Sequence, residues 1–216
     1  MNLAAVRDAL QPHFLTVMGG FPAGADEALP PGTRSLLLVG PQEPGFWPHV
    51  RATAEFNDGN ADPPDRWSAR VLATVAENLG GTALFPFGGP PWHPFITWAK
   101  RSGRAWSSPV GLLVHDEAGL FVSYRGALAL PQRVTLPPAP PCQCDSCTAQ
   151  PCRTACPVAA LTPKGYDVAA CRAFVTSPEG HDCMTKGCRV RRSCPVNAQY
   201  ERLPEQSAFH MRAFTR

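Results

Sequence analysis

The sequence predicts an α+β protein built from two domains. Helical and strand-like patterns alternate along residues 1–129, as expected of a layered α/β domain. All nine cysteines lie within residues 142–216, which predicts a small, loop-rich second domain. Between the two, residues 130–141 ("LPQRVTLPPAPP") hold five prolines in twelve positions, a composition typical of a semi-rigid, extended linker. A chain of 216 residues can bury one core of roughly 100 to 150 residues and carry such an appendage.

Three elements are predicted in the first half of the N-terminal domain. "LAAVRDAL" has its apolar residues at helical spacing, and "RSLLLVG" is a short apolar run closed by glycine, as a buried strand would be. Residues 63–81 predict the clearest helix, with two prolines at its start and Gly80 at its end. One apolar face of this helix carries Trp67, Val71, Leu72, Val75, Ala76 and Leu79.

The second half of this domain continues the alternation. "TALFPFG" is strand-like, and "WHPFITWAKRSG" predicts a helix after Pro94 with a glycine at its end. "VGLLVHDEAGLFVSYRGALAL" contains two strand-like runs around the turn residues Asp116 to Gly119. This arrangement predicts a β-hairpin.

Charge and hydropathy exclude several classes of function. The formal net charge is only +3, so nucleic-acid binding driven by net charge is not expected. No apolar run approaches the roughly 18 residues that span a membrane. Arg7 and Asp8 interrupt the N-terminal stretch where a signal peptide would be apolar, so we expect a cytoplasmic protein. In a reducing cytosol, clustered cysteines indicate metal binding or redox chemistry rather than disulfides.

The cysteines fall into two sets, each ending in a Cys-Pro pair. The first set has the spacing C-x2-C-x4-C-x3-C-P, close to the C-x2-C-x2-C-x3-C-P run of ferredoxins that hold two 4Fe-4S clusters. In that run the fourth cysteine binds the other cluster, and we apply the same crossing here. The resulting prediction is a ferredoxin-like domain with two 4Fe-4S clusters, the first held by Cys144, Cys147, Cys152 and Cys194, and the second by Cys156, Cys171, Cys183 and Cys188.

Two alternatives stay open at this point. Structural zinc also uses C-x2-C pairs, although no such pair recurs in the second set and two Cys-Pro ends are not a zinc pattern. Cys142 is the ninth cysteine, and it is either a free thiol or a replacement for Cys144 as a ligand.

The cysteine region, with "VAACRAF" around Cys171 and the final "CPVN", resembles the C-terminal dicluster domain of the epoxyqueuosine reductase family. These are corrinoid-dependent iron-sulfur enzymes of tRNA modification. "FPFGGPPWHPFITWAKRSGRAW" and "GLLVHDEAGLFV" are similar to the strand, helix, G-x-x-W turn and hairpin of the same family. The resemblance implies a shortened N-terminal domain that cups a cobalamin near one cluster, so that electrons reach cobalt.

Two functional positions of that family are not matched. The family has a proton-donating aspartate just after the apolar strand, where this chain has Phe87 and Gly88. The family also has a lysine after the G-x-x-W turn, whereas Trp106 is followed here by "SSPVG". The reduction of tRNA epoxyqueuosine is therefore the least favoured of the functions considered.

Candidate contacts outside the clusters come from aromatic and basic residues. In "GGPPWHPF" and "SYRGAL", we predict cofactor or substrate contacts at Trp92, His93, Tyr124 and Arg125. The alternative for the first stretch is a buried connector. Four basic residues surround Cys188 in the sequence, namely Lys186, Arg189, Arg191 and Arg192. Their positive charge predicts docking of an acidic electron donor and a raised reduction potential of the nearby cluster.

These patterns predict a protein that moves single electrons through two 4Fe-4S clusters. The electron acceptor is either a cofactor bound by the N-terminal domain, with a corrinoid as the candidate, or a small-molecule substrate bound there. In both cases the chain would be a reductase. The alternative is a ferredoxin-like carrier that passes electrons to a partner protein and has no catalysis of its own.

Overall fold

The computed structural model describes residues 1–24 and 29–216. The chain forms two compact units. Unit 1 contains Met1–Arg104 and Ser123–Ala139, and unit 2 contains Ala105–Val122 and Pro140–Arg216. Residues 105–122, which the sequence-based division gave to the N-terminal domain, are therefore grouped with the cysteine-rich part. None of the helices in the described part of the chain is both long and apolar enough to cross a membrane.

Unit 1 is organised around a four-stranded antiparallel sheet with the strand order β1-β2-β6-β3. The central strand β2 is buried at every residue, as its continuous apolar run predicted. The first strand was not predicted, because Gly19 and Gly20 interrupt its apolar pattern. The register shifts between Val17 and Gly20, where Gly19 has a φ of +132°. The strands are β1 Leu15–Pro22, β2 Ser35–Pro41, β3 Thr82–Leu84 and β6 Gly126–Leu130.

In the described part of unit 1, five α-helices accompany this sheet. The predicted helix over residues 63–81 is present, and its apolar face is buried from Trp67 to Ala76. The chain leaves this helix through Gly80, whose φ of +68° favours glycine. Trp67 is completely buried and packs edge-on against Phe46, with ring centroids 5.6 Å apart. The helices are α1 Leu3–Leu10, α2 Phe46–Arg51, α3 Ala54–Asn57, α4 Pro63–Asn78 and α5 Phe95–Arg101.

The predicted hairpin around Asp116 to Gly119 is wrong in its pairing. The first run forms β5 (Leu113–His115), which pairs with β4 (Ala105–Ser107) in a separate two-stranded sheet. The second run forms β6, which pairs with β2 and β3 in unit 1. Only one isolated bridge, His115 to Gly119, closes the expected turn. All five residues of β6 are buried, so its pairing follows from burial between two strands rather than from the local turn.

The proline-rich segment is only partly an exposed linker. Leu130 is the last residue of β6, and no helix or strand follows until residue 143. Val134 is buried, and its N–H donates to Ser35 Oγ at 2.9 Å. Residues up to Ala139 belong to unit 1, and unit 2 resumes at Pro140, close to the predicted end of the linker.

Unit 2 consists of short helices and loops with two small antiparallel hairpins. Its apolar core contains Val110, Val114, Leu120, Leu161 and Val190, each less than a tenth exposed, together with Cys152. Besides β4 and β5, the regular elements are α6 Gln143–Ser146, β7 Leu161–Thr162, β8 Gly165–Tyr166, α7 Val168–Thr176, α8 His181–Lys186, α9 Arg189–Arg192 and α10 Pro204–Phe214.

Candidate metal centre

Four cysteines meet around one pocket in unit 2, the first cysteine pocket. Its walls are apolar and enclose about 360 Å³, including space open to solvent. Val114 and Leu120, both from the segment 105–122, form part of the wall. The four cysteines are Cys144, Cys147, Cys152 and Cys194, the same four that the crossing rule assigned to one cluster.

Short local elements turn these thiols toward a common space. Cys144 lies on the single turn of α6, and Cys147 follows that turn and donates its N–H to the carbonyl of Cys144 at 3.3 Å. Cys152 is in the 3₁₀ turn Pro151–Arg153. Cys194 comes from the far end of the chain, just before a second 3₁₀ turn that begins at Pro195. The proline after Cys194 has no N–H and a fixed φ, which ends the binding loop there.

A second cysteine pocket lies on the other set of four. It encloses about 340 Å³ between apolar side chains that include Leu161, Phe174 and Val190. Val190 is completely buried and is part of the core of unit 2. The four cysteines are Cys156, Cys171, Cys183 and Cys188.

Helices α7 to α9 carry three of the four thiols of the second pocket. Asp167 caps α7 by accepting a hydrogen bond from the N–H of Ala170 at 2.9 Å, and Cys171 lies one turn into this helix. Cys183 is on α8, and Cys188 precedes the first turn of α9. Gly187 joins the two helices with a φ of +87°, a conformation that side chains rarely adopt. This tight joint keeps Cys183 and Cys188 on one pocket although they lie on different helices.

The thiols are all free, and their environment disfavours a set of unpaired thiolates. Burial raises the pKa of Cys144 to about 12, with further contributions from the neighbouring Cys142 and Cys194. Burial likewise raises the pKa of Cys152, Cys171 and Cys183, and in each case other cysteines of the same pocket add to the effect. A positively charged metal centre would relieve this repulsion, because metal binding removes the thiol protons and balances the charge.

Three donors point at sulfurs of the second pocket. The backbone N–H of Ala160 donates to Cys156 Sγ at 3.2 Å. The backbone N–H of Arg189 and the hydroxyl of Tyr166 act on Cys183 and Cys171, where they partly offset the rise in thiol pKa that burial causes. Hydrogen bonds to the ligand sulfurs are among the features by which a protein sets the potential of an iron-sulfur cluster.

The ninth cysteine lies outside the lining of both pockets. Cys142 precedes α6, and its side chain is hydrogen-bonded to Cys144. This position beside the first pocket leaves both predictions for Cys142 open, a free thiol or a replacement for Cys144 as a ligand.

Four thiols, apolar walls and hydrogen bonds to sulfur fit the clusters that the sequence predicted, with four cysteines for each. Among the residues that the structure describes, no three His, Cys, Asp or Glu side chains are placed as ligands of one metal ion. The thiols of each pocket thus line a common space rather than meet at one point.

The predicted cofactor contacts in unit 1 have different surroundings. The ring of His93 stacks on Trp98 at 5.5 Å, whereas Trp92 is 65% exposed. Tyr124 lies beside Phe95, with ring centroids 6.5 Å apart. Arg125 is buried and pairs with Asp65 of α4 at 2.9 Å, while burial lowers the pKa of its guanidinium. Arg125 thus ties β6 to α4.

The four predicted basic contacts also differ from one another. Asp182 organises three of them: it lies 3.6 Å from Lys186 and 2.8 Å from Arg189, and it pairs with Arg192. These hydrogen bonds hold the pKa of Asp182 below its usual range, with Arg189 as the main cause. Arg191 instead points inward and donates to the carbonyl of Leu120. It is therefore a structural side chain rather than part of the exposed basic surface.

Several residues of the site were missed by sequence reasoning. Val114 and Leu120 are ordinary apolar residues far from the cysteines in sequence, so no local signal pointed to them. Asn197 could have been found from the sequence, because it lies in the same "CPVN" stretch as Cys194. It is buried, accepts the N–H of Leu120 at 2.9 Å and donates to the carbonyl of Arg191, which fixes the segment 105–122 to the last cysteine loop.

Comparison of the chain with protein-family models, with curated proteins and with solved structures finds no match in any of the three.

Proposed function

We propose that the chain is an iron-sulfur protein that holds two 4Fe-4S clusters in unit 2 and passes single electrons through them. The observation that carries this proposal is the partition of eight cysteines into two pockets of four. Each pocket takes three cysteines from one set and the Cys-Pro cysteine from the other, as in dicluster ferredoxins.

The residues around the thiols suit this role. A bound 4Fe-4S cluster takes up and releases one electron at a time at a potential set by its surroundings. Val114 and Leu120 give the first pocket an apolar wall, and Val190 does so for the second. The donors from Ala160, Arg189 and Tyr166 stabilise negative charge on the sulfurs of the second pocket. We expect these three hydrogen bonds to raise the potential of the second cluster relative to a cluster without them.

The acceptor distinguishes two forms of the proposal. In the first, unit 1 binds a corrinoid or another electron-accepting molecule and the chain is a reductase. The exposed side chains of Trp92 and Ile96, at 65% and 66%, offer an apolar surface for a flat cofactor. In the second, the chain is a ferredoxin-like carrier that delivers electrons to a partner protein. The unmatched positions Phe87 and Ser107 speak against tRNA epoxyqueuosine as the substrate.

Metal analysis after anaerobic purification is the decisive experiment. We expect about eight irons and eight sulfides per chain, the content of two 4Fe-4S clusters. Zinc without iron, in a colourless protein, would overturn the proposal and support a zinc-stabilised interaction protein. Cobalt retained in proportion to the chain after reconstitution with cobalamin supports the reductase, and iron without cobalt supports the carrier.

The ligand assignment is tested by three matched Cys→Ser substitutions. Cys147→Ser and Cys188→Ser should each lose about half of the iron, because each removes a thiol from a different pocket. Cys142→Ser is the control and should keep the iron of both pockets. Full iron retention in Cys147→Ser and Cys188→Ser would contradict the assignment, and iron loss in Cys142→Ser would make Cys142 a ligand.

An electron donor with an acidic surface remains part of the proposal. Lys186 and Arg189 are exposed beside the loops of Cys183 and Cys188, so they offer positive charge close to the second pocket. Their effect on the association rate of such a donor should decrease steeply with added salt.

A further inference from the structure

A second kind of cavity opens in unit 2 beside the first cysteine pocket. We call it the basic groove; it encloses about 890 Å³, open to solvent, and is lined by Lys186, Arg192 and Arg202. Phe121 and Cys194 form part of its wall. Cys194 also lines the first cysteine pocket, so the groove and that pocket share a residue.

The three cations come from three different parts of unit 2. Lys186 is the last residue of α8, Arg192 is the last residue of α9, and Arg202 lies just before α10. Among the described residues that line the groove, none is acidic. Asp182 contacts both Lys186 and Arg192, so these two cations share one carboxylate.

Arg192 and Lys186 are held in place and keep donors for a ligand. Arg192 Nε donates to the carbonyl of Gly187 at 3.1 Å and Nη2 pairs with Asp182, whereas Nη1 makes no hydrogen bond to the described residues. The side chain of Lys186 is 61% exposed, and its ammonium lies 3.6 Å from Asp182, beyond hydrogen-bond distance. The guanidinium of Arg202 lies 5.7 Å from the ring centroid of Phe121, which restricts its orientation.

The floor of the groove is equally fixed. Asn197 is buried there and is hydrogen-bonded to Leu120 and to Arg191. A Cβ added to Gly187 would lie 2.6 Å from the Cβ of Ser207, so the joint between α8 and α9 packs closely against α10. Positioned cations around a concave space recognise an oxyanion at lower entropic cost than a flexible charged surface does.

From this geometry we infer that the basic groove binds a small molecule through a phosphate or diphosphate group. Arginines offer paired donors to phosphate oxygens, and a lysine adds a point charge. The part of the groove that a water-sized molecule can enter, about 480 Å³, suits a small molecule, and Phe121 provides an aromatic wall for the rest of it. A ligand held there would contact the loop of Cys194, next to the first cysteine pocket. This inference does not depend on which metal the cysteines hold.

Calorimetric titration with pyrophosphate and with inorganic phosphate tests the inference on the full chain. We expect saturable binding of pyrophosphate with one site per chain. Arg202→Gln and Lys186→Gln should each weaken it, Arg202→Gln by about tenfold or more, because each removes charged donors to the ligand. Lys164→Gln is the matched control, since Lys164 is an exposed cation in the turn between β7 and β8 of the same unit.

The outcomes separate this site from the alternatives. If Lys164→Gln weakened pyrophosphate binding as much as the groove variants do, or if binding did not saturate, the inference would be overturned. Either result would show only nonspecific attraction between the anion and a positively charged surface. Binding of a glutamate-rich peptide without binding of pyrophosphate would overturn it in favour of an acidic protein partner. The iron content of each variant is measured in parallel, so a lost cluster is not mistaken for a lost anion site. Lys186→Gln alters only an exposed side chain and keeps the test valid if Arg202→Gln fails to fold.

Discussion

Tyr166 in unit 2 and Glu55 in unit 1 are single side chains whose contacts affect different properties of the protein. Tyr166 ends the small strand β8, and its hydroxyl lowers the pKa of the Cys171 thiol against the effect of burial, although the tyrosine is 43% exposed. Glu55 is on α3 and accepts hydrogen bonds from Arg70 of α4 at 2.5 and 3.2 Å. The first contact concerns electron transfer and the second concerns stability, so the two residues give separate predictions.

Tyr166→Phe should lower the reduction potential of the second cluster. A hydrogen bond to a ligand sulfur stabilises the more negative, reduced state, and a bond of about 1 kcal/mol corresponds to about 40 mV for one electron. A redox titration followed by electron paramagnetic resonance measures the change. Tyr124→Phe, in unit 1, is the control and should leave both potentials unchanged. An unchanged potential in Tyr166→Phe would show that the hydroxyl does not act on the cluster.

Glu55→Gln should remove part of the acid sensitivity of unit 1. The hydrogen bond from Arg70 lowers the pKa of Glu55 from 4.5 to about 2. A carboxyl with a lowered folded-state pKa stabilises the fold above the unfolded-state value, and this contribution is lost as the pH falls from about 4.5 toward 2. Thermal melts between pH 2 and pH 6 should show a smaller decrease for Glu55→Gln than for the parent chain. Glu77→Gln, an exposed change on α4, should leave the pH profile as it is; the same profile for all three proteins would refute the prediction.

At the level of elements, the short helices of unit 2 hold the thiols and therefore depend on their caps. Helices of four to nine residues are too short to be stable alone, so capping and tertiary packing maintain them. Asp167 provides the cap of α7, which carries Cys171. Asn2 provides the equivalent cap of α1 in unit 1 by accepting the N–H of Ala5 at 2.8 Å. The two caps form a natural pair for comparison.

Asp167→Ala should destabilise unit 2 and speed the loss of iron to a chelator. Loss of an N-cap typically costs about 1 kcal/mol, and here the fraying helix carries a ligand of the second pocket. Asn2→Ala should cost a similar amount of stability in unit 1 without changing the rate of iron release. Chelation kinetics followed by absorbance compare the variants, and equal rates in both would show that α7 does not support the site.

At the level of the whole molecule, two stretches distant in sequence build the first pocket. Residues 105–122 leave the N-terminal part of the chain, contribute Val114 and Leu120 to unit 2, and are followed by β6 in unit 1. The chain thus passes between the units three times. The first cysteine pocket is consequently not a property of residues 142–216 alone.

Val114→Ala should therefore weaken the retention of iron in the first pocket, although this residue lies 30 positions before Cys144 in the chain. Removing two buried methyl groups costs about 2 kcal/mol, and in Val114 these groups border the pocket. Val71→Ala is the control, because Val71 is equally buried but belongs to α4 of unit 1. Iron release during a thermal melt should begin earlier in Val114→Ala only. Earlier release in both variants, or in neither, would contradict this role of the segment 105–122.

The sequence by itself determined the mixed helix and strand content, the long helix α4 and the buried strand β2, and it predicted the grouping of the eight cysteines that line the two pockets. Each of these follows from the local periodicity of apolar residues, from glycines and prolines at the ends of elements, or from the spacing of cysteines in short loops. Only the tertiary structure decided that β5 and β6 join different sheets, that Val114 and Leu120 wall the first pocket, and that Arg191 turns inward while Arg202 joins Lys186 and Arg192. The physical reason is that burial and hydrogen bonding between distant segments carry no signature in the order of neighbouring residues, because they depend on which surfaces the folded chain brings together.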